Sequence, residues 1–268
     1  MADPTASADD SDRGPAVLFI GGFPTDSTWY EPTRGVLLRR GATRVTIAPL
    51  RLWHWLAAAF VGLGPAASIV ARAMDELSDE DGGRPILVVG HSGGGILARL
   101  ALARKSFDGA CQARPGAVGA VVTLGTPHLA KRVDGTFGYH GRRALRFLAR
   151  HEAPPPPRPA GWLSIGSHWS ADDLGTGWLP RLRRAVALVC YVVLLGAGGE
   201  RAHGDGMVPL ECAPLPGADH LRLEGLAHGP KFWGPRWYAS DEGLDRWWGS
   251  AMEIWQRSLI SGGEPQVA

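Results

Sequence analysis

A chain of 268 residues that is 45% hydrophobic and 20% charged has the apolar material for a buried core and fits one α/β domain carrying an insertion. Its 28 basic and 26 acidic residues leave a formal charge of +2, which excludes the strongly basic footprint of a nucleic-acid-binding protein. Three widely spaced cysteines, Cys111, Cys190 and Cys212, lack metal-ligand or redox-pair spacing and point to a reducing compartment, with Cys190 read as a packed core thiol.

The stretch from Met1 to Gly14 is acidic and rich in Ala, Ser and Asp, so residues 1–14 read as a disordered tail, without the apolar core of a signal peptide or the Arg-rich character of a transit peptide. That points to the cytoplasm, or to a plastid where a targeting segment has been removed. Apolar or β-branched runs follow at 16–20, 44–48, 85–90, 120–124, 186–195 and 221–223, each expected to be a buried parallel strand. Between them, Ile69, Val70, Ala73, Met74 and Leu77 share one helical face, and Leu244, Trp248, Ala251, Met252, Trp255 and Leu259 share another near the C-terminus. Alternating strand and helix predicts an α/β fold with a mostly parallel, doubly wound central sheet and helices on both faces.

From Ala130 to Arg184 that rhythm breaks into basic residues, the run Pro154 to Pro157 and a portion rich in Gly, Ser and Trp, which predicts a cap or lid inserted over 130–184. The remainder, 15–262, reads as one domain, with a tail over 263–268. Two apolar stretches, 55–71 and 185–199, are shorter than the roughly 20 residues that span a bilayer, and Gly62, Gly64 and Pro65 interrupt the first. They read as a buried helix and a buried strand, which leaves room for peripheral membrane contact but not for a span.

The chemistry concentrates at Gly90-His91-Ser92-Gly93-Gly94, after the apolar run Ile86 to Val89 and before the helical pattern Ile96, Leu97, Leu100 and Ala101. Gly-x-Ser-x-Gly between strand and helix predicts a sharp turn that presents Ser92 as a nucleophile, with Gly90 and Gly94 leaving room for strand and helix to pack closely. A serine hydroxyl needs a base and an orienting carboxylate, which this type of fold supplies downstream. Asp205, in His203-Gly204-Asp205-Gly206, is the candidate acid, preferred over Asp172, Asp173 and Asp219 because it follows the run ending near Gly196. His228 is the candidate base because it follows the strand expected at 221–223, whereas His220 precedes that strand. His91 reads as packing beside the nucleophile. The amides of Phe23, in Gly21-Gly22-Phe23-Pro24, and of Gly93 are the expected oxyanion donors. His128 and Trp29 are candidates to line the substrate pocket, and no ligand cluster for a metal or cofactor is visible.

These segments resemble the lipase and esterase branch of the α/β-hydrolase superfamily over roughly residues 15–260. Gly21-Gly22-Phe23 is similar to that family's His-Gly-Phe oxyanion loop, with Gly21 in place of the histidine, and Leu124-Gly125-Thr126-Pro127-His128 is similar to a segment common in lipases. Gly204-Asp205-Gly206-Met207-Val208-Pro209 resembles the family's acid loop. The arrangement most resembles lipase-like hydrolases of plants, algae and cyanobacteria, distantly similar to the inositol deacylases that process lipid anchors. The resemblance implies a cofactor-free serine hydrolase that cleaves a small-molecule or lipid ester through Ser92, Asp205 and His228. The same triad would also serve a thioesterase or an acyltransferase, and a hydrolase-like binding protein would keep the fold without the chemistry.

Overall fold

The computed structural model describes residues 13–131, 136–152, 161–169 and 177–261. In chain order the elements are β1 (Ala16–Ile20), α1 (Glu31–Arg39), β2 (Arg44–Ile47), α2 (Leu52–Val61), α3 (Gly64–Glu80), β3 (Ile86–His91), α4 (Gly93–Ala101), β4 (Val118–Leu124), α5 (Thr136–His151), β5 (Gly161–His168), α6 (Trp178–Leu195), β6 (Asp219–Glu224) and α7 (Asp241–Ser261). The six strands form one parallel sheet in the order β2-β1-β3-β4-β5-β6.

The period-two alternation of a strand divides each apolar run between two cores. Ala16, Leu18 and Ile20 of β1 and Val88 of β3 face the layer of α3, α4 and α5, where Val70, Met74, Leu77, Leu97 and Leu148 cover them. Val17, Phe19, Leu87 and Val89 face α1 and α7, against Leu37, Leu244, Trp247 and Trp255. Because both faces are covered there, the central strands β1, β3 and β4 read as nearly continuous apolar runs, whereas β6 at the edge is mostly exposed and polar. Gly62 and Leu63 separate α2 from α3, so the stretch 55–71 is two helices.

Two expectations need correction. The run 186–195 is not a strand but the second half of α6, which begins at Trp178 and tolerates Pro180 in its first turn. Ten consecutive apolar residues suit a helix better than a strand, and the sheet position beside β6 is taken by β5. Correspondingly, 130–184 is not one excursion, since β5 lies inside it and pairs with both β4 and β6. Small residues in β5 serve close neighbours. A side chain at Gly161 would overlap Ile254, and Ser164 and Ser167 accept hydrogen bonds from the amides of Leu215 and Leu226 at 3.2 and 3.1 Å. Of the expected tails, 1–12 and 263–268 lie outside the described residues, and Arg13 already pairs with Asp81 at 3.4 Å.

Candidate active site

Every chemically relevant loop leaves the carboxyl edge of the sheet, where ligands bind in open α/β folds. Gly21-Gly22-Phe23 follows β1, Ser92 follows β3, Gly125 follows β4 and His228 follows β6. Asp205 belongs to the same edge although α6 intervenes between it and β5: the amide of Trp169, just beyond β5, donates to the carbonyl of Gly204 at 2.9 Å. The chain therefore leaves β5, makes α6 and returns to the same point.

Ser92 has φ 53 and ψ −125, in the left-handed region that costs a residue with a side chain roughly 1 kcal/mol or more. Three contacts hold it there. Its amide donates to Leu124 at 2.8 Å, and its carbonyl accepts from Thr126 Oγ1 at 2.9 Å and from the amide of Gly95 at 3.1 Å. The two elbow glycines leave no space for a side chain: a Cβ on Gly90 would lie 2.7 Å from Gly95 Cα, and one on Gly94 only 2.3 Å from the carbonyl oxygen of Ile20. A Cβ on Gly22 would lie 2.6 Å from Ser92 Cβ, so the loop after β1 lies against the Ser92 side chain. The amide nitrogen of Phe23 lies 3.3 Å from a Cβ built on Gly93, which puts the two expected oxyanion donors side by side at the positive end of α4.

His228 and Asp205 form a buried pair. His228 Nδ1 donates to Asp205 Oδ2 at 2.8 Å, and the amide of His228 donates to the carbonyl of Asp205, also at 2.8 Å. That hydrogen bond leaves Nε2 of the neutral ring as the basic nitrogen. Asp205 is otherwise fully engaged: Oδ1 accepts from the amides of Met207 and Val208 at 2.9 and 2.7 Å, and Oδ2 also accepts from the Tyr238 hydroxyl at 2.9 Å. Burial, followed by the charge of Asp205, pushes the Tyr238 hydroxyl well above the ordinary tyrosine range, so it stays a donor. Among the described residues, Ser92 Oγ makes no hydrogen bond to His228; the two line one cavity. Such bonds often form only when substrate is bound.

That cavity measures about 340 Å³ and is mostly apolar. Phe23, Ser92, Gly93 and His228 form its floor, and Trp55 and Ala58 of α2, Leu145 of α5 and Val193 of α6 contribute to its roof. Cys190 lines this cavity half-buried rather than sitting in the core, and all three cysteines are free. His128 does not line it. Its Nδ1 accepts from Arg99 at 3.4 Å and its Nε2 donates to Thr123 Oγ1 at 2.9 Å, while burial and then Arg99 hold its pKa well below the usual histidine range. Nor does Trp29, which is 41% exposed and stacks under Lys231 at 4.1 Å.

Four residues of the site were not expected. Tyr238 is the second side-chain donor to Asp205. Tyr30 packs its ring against Gly21, and its hydroxyl accepts from the amide of Gly22 at 3.0 Å and donates to His91 Nδ1 at 3.0 Å. His91 Nε2 in turn donates to the carbonyl of His228 at 2.7 Å, so one chain of hydrogen bonds joins the loop after β1 to the loop after β6. Burial, and then His228, lower the His91 pKa to about 3, which keeps this link neutral. Tyr191 of α6 accepts from the amide of Gly206 at 2.9 Å, beside Asp205. Gly125 has φ 53, and a Cβ there would lie 2.5 Å from Asp205 Oδ2 and 3.1 Å from His228 Nδ1. Apart from Tyr30–Gly22 and Tyr191–Gly206, these contacts join residues far apart in the chain, and only Gly125 left a sequence signal, in the segment 124–128.

The parallel sheet, the strained serine between β3 and α4 and the loops at one sheet edge define an α/β-hydrolase fold. A family model described as a PGAP1-like alpha/beta domain matches residues 68–140, from α3 through the elbow into α5. The mature form of Bacillus licheniformis lipase BlEst2 superposes with a TM-score of 0.59 at 18% identity, over 94% of this chain and 96% of that one. Its propeptide form gives a TM-score of 0.62 at 18% identity, over 93% of this chain and 52% of that one. No curated protein matches.

Proposed function

We propose that the protein is a serine hydrolase that cleaves carboxylic esters of hydrophobic acyl substrates. The observation that carries this reading is the His228–Asp205 pair at 2.8 Å, opening with a strained Ser92 onto one apolar cavity. His228 Nε2 takes the Ser92 proton as Oγ attacks the ester carbonyl. The amides of Phe23 and Gly93 receive the charge that develops on the carbonyl oxygen. His228 then returns the proton to the leaving alcohol, and water attacks the acyl-serine by the same route in reverse.

Asp205 holds the imidazole in the tautomer that makes Nε2 basic and stabilises the imidazolium. The cavity lies within the range of about 300–1,000 Å³ common for small-molecule sites, and its apolar walls favour an acyl chain over a charged one. In this reading α5 and α6 serve as the cap over the site. The fold shared with a B. licheniformis lipase supports it.

A panel of p-nitrophenyl esters of graded acyl length tests the proposal, with the intact chain and Ser92→Ala compared. Turnover by the intact chain that falls to background in the variant supports it, and the panel then sets the acyl length. Equal turnover by both forms would exclude Ser92 as the nucleophile, and no turnover by either would favour a binding protein. Thioesters and acceptor alcohols in the same assay assign the bond class and the acyl acceptor.

A further inference from the structure

The outer surface of the cavity roof is apolar, the reverse of what a solvent-facing helix should show. On α6, Leu188, Val189, Val192 and Val193 are all exposed, at a spacing that puts them on one stripe, with Val189 at 61%. On α2, Trp53, Leu56, Phe60 and Val61 are exposed, Phe60 at 84%. Both helices line the cavity with other side chains, Trp55 and Ala58 from α2 and Cys190 and Leu194 from α6. Val193 and Phe23 are at once exposed and part of the cavity wall, so the apolar surface runs up to the cavity mouth.

Charge is segregated in the same place. None of α2, α5 and α6 contains Asp or Glu. Of the 28 basic residues, seven are arginines of α5 and α6, which leaves 21 against all 26 acidic residues elsewhere. The roof helices thus carry +7 and the rest of the chain −5. Some of that charge is locally engaged: Arg143 pairs with Asp108 at 2.8 Å, and Arg183 donates to the carbonyl of Phe232. Arg146 and Arg181 are exposed.

We propose that this face docks on an anionic phospholipid surface. The side chains of α2 and α6 enter the boundary between headgroups and acyl chains, and the arginines of α5 and α6 orient the chain so that the cavity mouth meets the lipid. An apolar face flanked by cationic helices that contain no Asp or Glu of their own, with Asp108 beside Arg143 as a neighbouring carboxylate, has the composition that peripheral membrane binding requires. A second copy of the chain is the poorer occupant, because an isologous pair would set two positive roofs against each other. Insertion across the bilayer is ruled out for these helices, since none of the described helices is long and apolar enough.

The test is binding rather than turnover, so it does not depend on the acyl-transfer reading. The Ser92→Ala chain is sedimented with vesicles of phosphatidylcholine alone or mixed with phosphatidylglycerol, at low and high salt. The expected result is binding to the anionic vesicles that weakens with salt. Arg181→Gln lowers that affinity by about fivefold. The double variant Phe60→Ser with Val189→Ser lowers it by about tenfold or more, its fold checked by circular dichroism. Absence of vesicle binding by the monomeric chain would overturn the proposal, as would equal, salt-insensitive binding to neutral vesicles. A solution dimer that the double variant dissociates would give the face to a second copy instead.

Discussion

Gly125→Ala is the sharpest test of how the acid–base pair is held. A methyl group at this position would sit 2.5 Å from Asp205 Oδ2, 2.9 Å from Tyr238 Cε2 and 3.1 Å from His228 Nδ1. Ordinary contact needs roughly 3.5 Å, so the carboxylate must retreat by about 1 Å. That retreat breaks or stretches the 2.8 Å bond to His228 and the 2.9 Å bond from Tyr238. Losing a buried hydrogen bond to a charged group costs about 1.5–3 kcal/mol, and the left-handed backbone adds roughly 1 kcal/mol. A misplacement of 1 Å in the catalytic geometry lowers rate by about 100-fold.

Gly82→Ala separates the two effects, because Gly82 has φ 74 and nothing lies within 4 Å of a Cβ there. It bears the backbone cost alone. Thermal unfolding should therefore show a small loss for Gly82→Ala and a loss of roughly 3 kcal/mol for Gly125→Ala. Ester hydrolysis should be unchanged in the first and about 100-fold slower in the second. Equal rates in the two variants would refute the argument that the loop after β4 fixes the position of Asp205.

Tyr238→Phe removes one donor from Asp205 while keeping the ring; kcat should fall by about tenfold with KM unchanged, read from steady-state kinetics. Gly22→Ala places a methyl group 2.6 Å from Ser92 Cβ and 3.0 Å from the His91 carbonyl oxygen, so it should reduce hydrolysis by about 100-fold or more and also lower the melting temperature, read from steady-state kinetics and thermal unfolding. Acid stability carries the mark of His91 and His128, whose folded pKa values lie below the ordinary 6.5. The unfolded chain binds these protons first, so their stabilising contribution is present above pH 6.5 and is lost on acidification, by about 1.4 kcal/mol per pH unit for each histidine. Melting curves from pH 7 to 5 should be flatter for His91→Gln; an unchanged slope would show that His91 is not buried as a neutral ring.

How much of this was legible in the sequence depended on whether a contact is local. The run Ala16–Ile20 became β1 unchanged, and the elbow was readable because strand, turn glycines and helix are contiguous in Ile86 to Ala101. That Asp205 and His228 would come together was legible from their order after Ser92, although the strand thought to precede Asp205 is the helix α6. β5 escaped notice because its Gly and Ser residues are selected by close neighbours such as Ile254 and Leu215, not by β propensity. Whether His128 and Trp29 line the pocket was not legible, because loop position does not give side-chain direction: one turns inward to Arg99 and Thr123, the other outward to Lys231. The links from Tyr30 through His91 to His228, and from Tyr238 to Asp205, exist only once the sheet edge is assembled.

The proposed chemistry stands or falls with Ser92 as an activated nucleophile oriented by His228 and Asp205. Reaction with a fluorophosphonate, followed by intact-mass and peptide mapping, tests it most directly. A single adduct is expected on Ser92, absent in Ser92→Ala and strongly slowed in His228→Asn and Asp205→Asn. A folded intact chain that forms no adduct, or one that labels at full rate without His228, would contradict it.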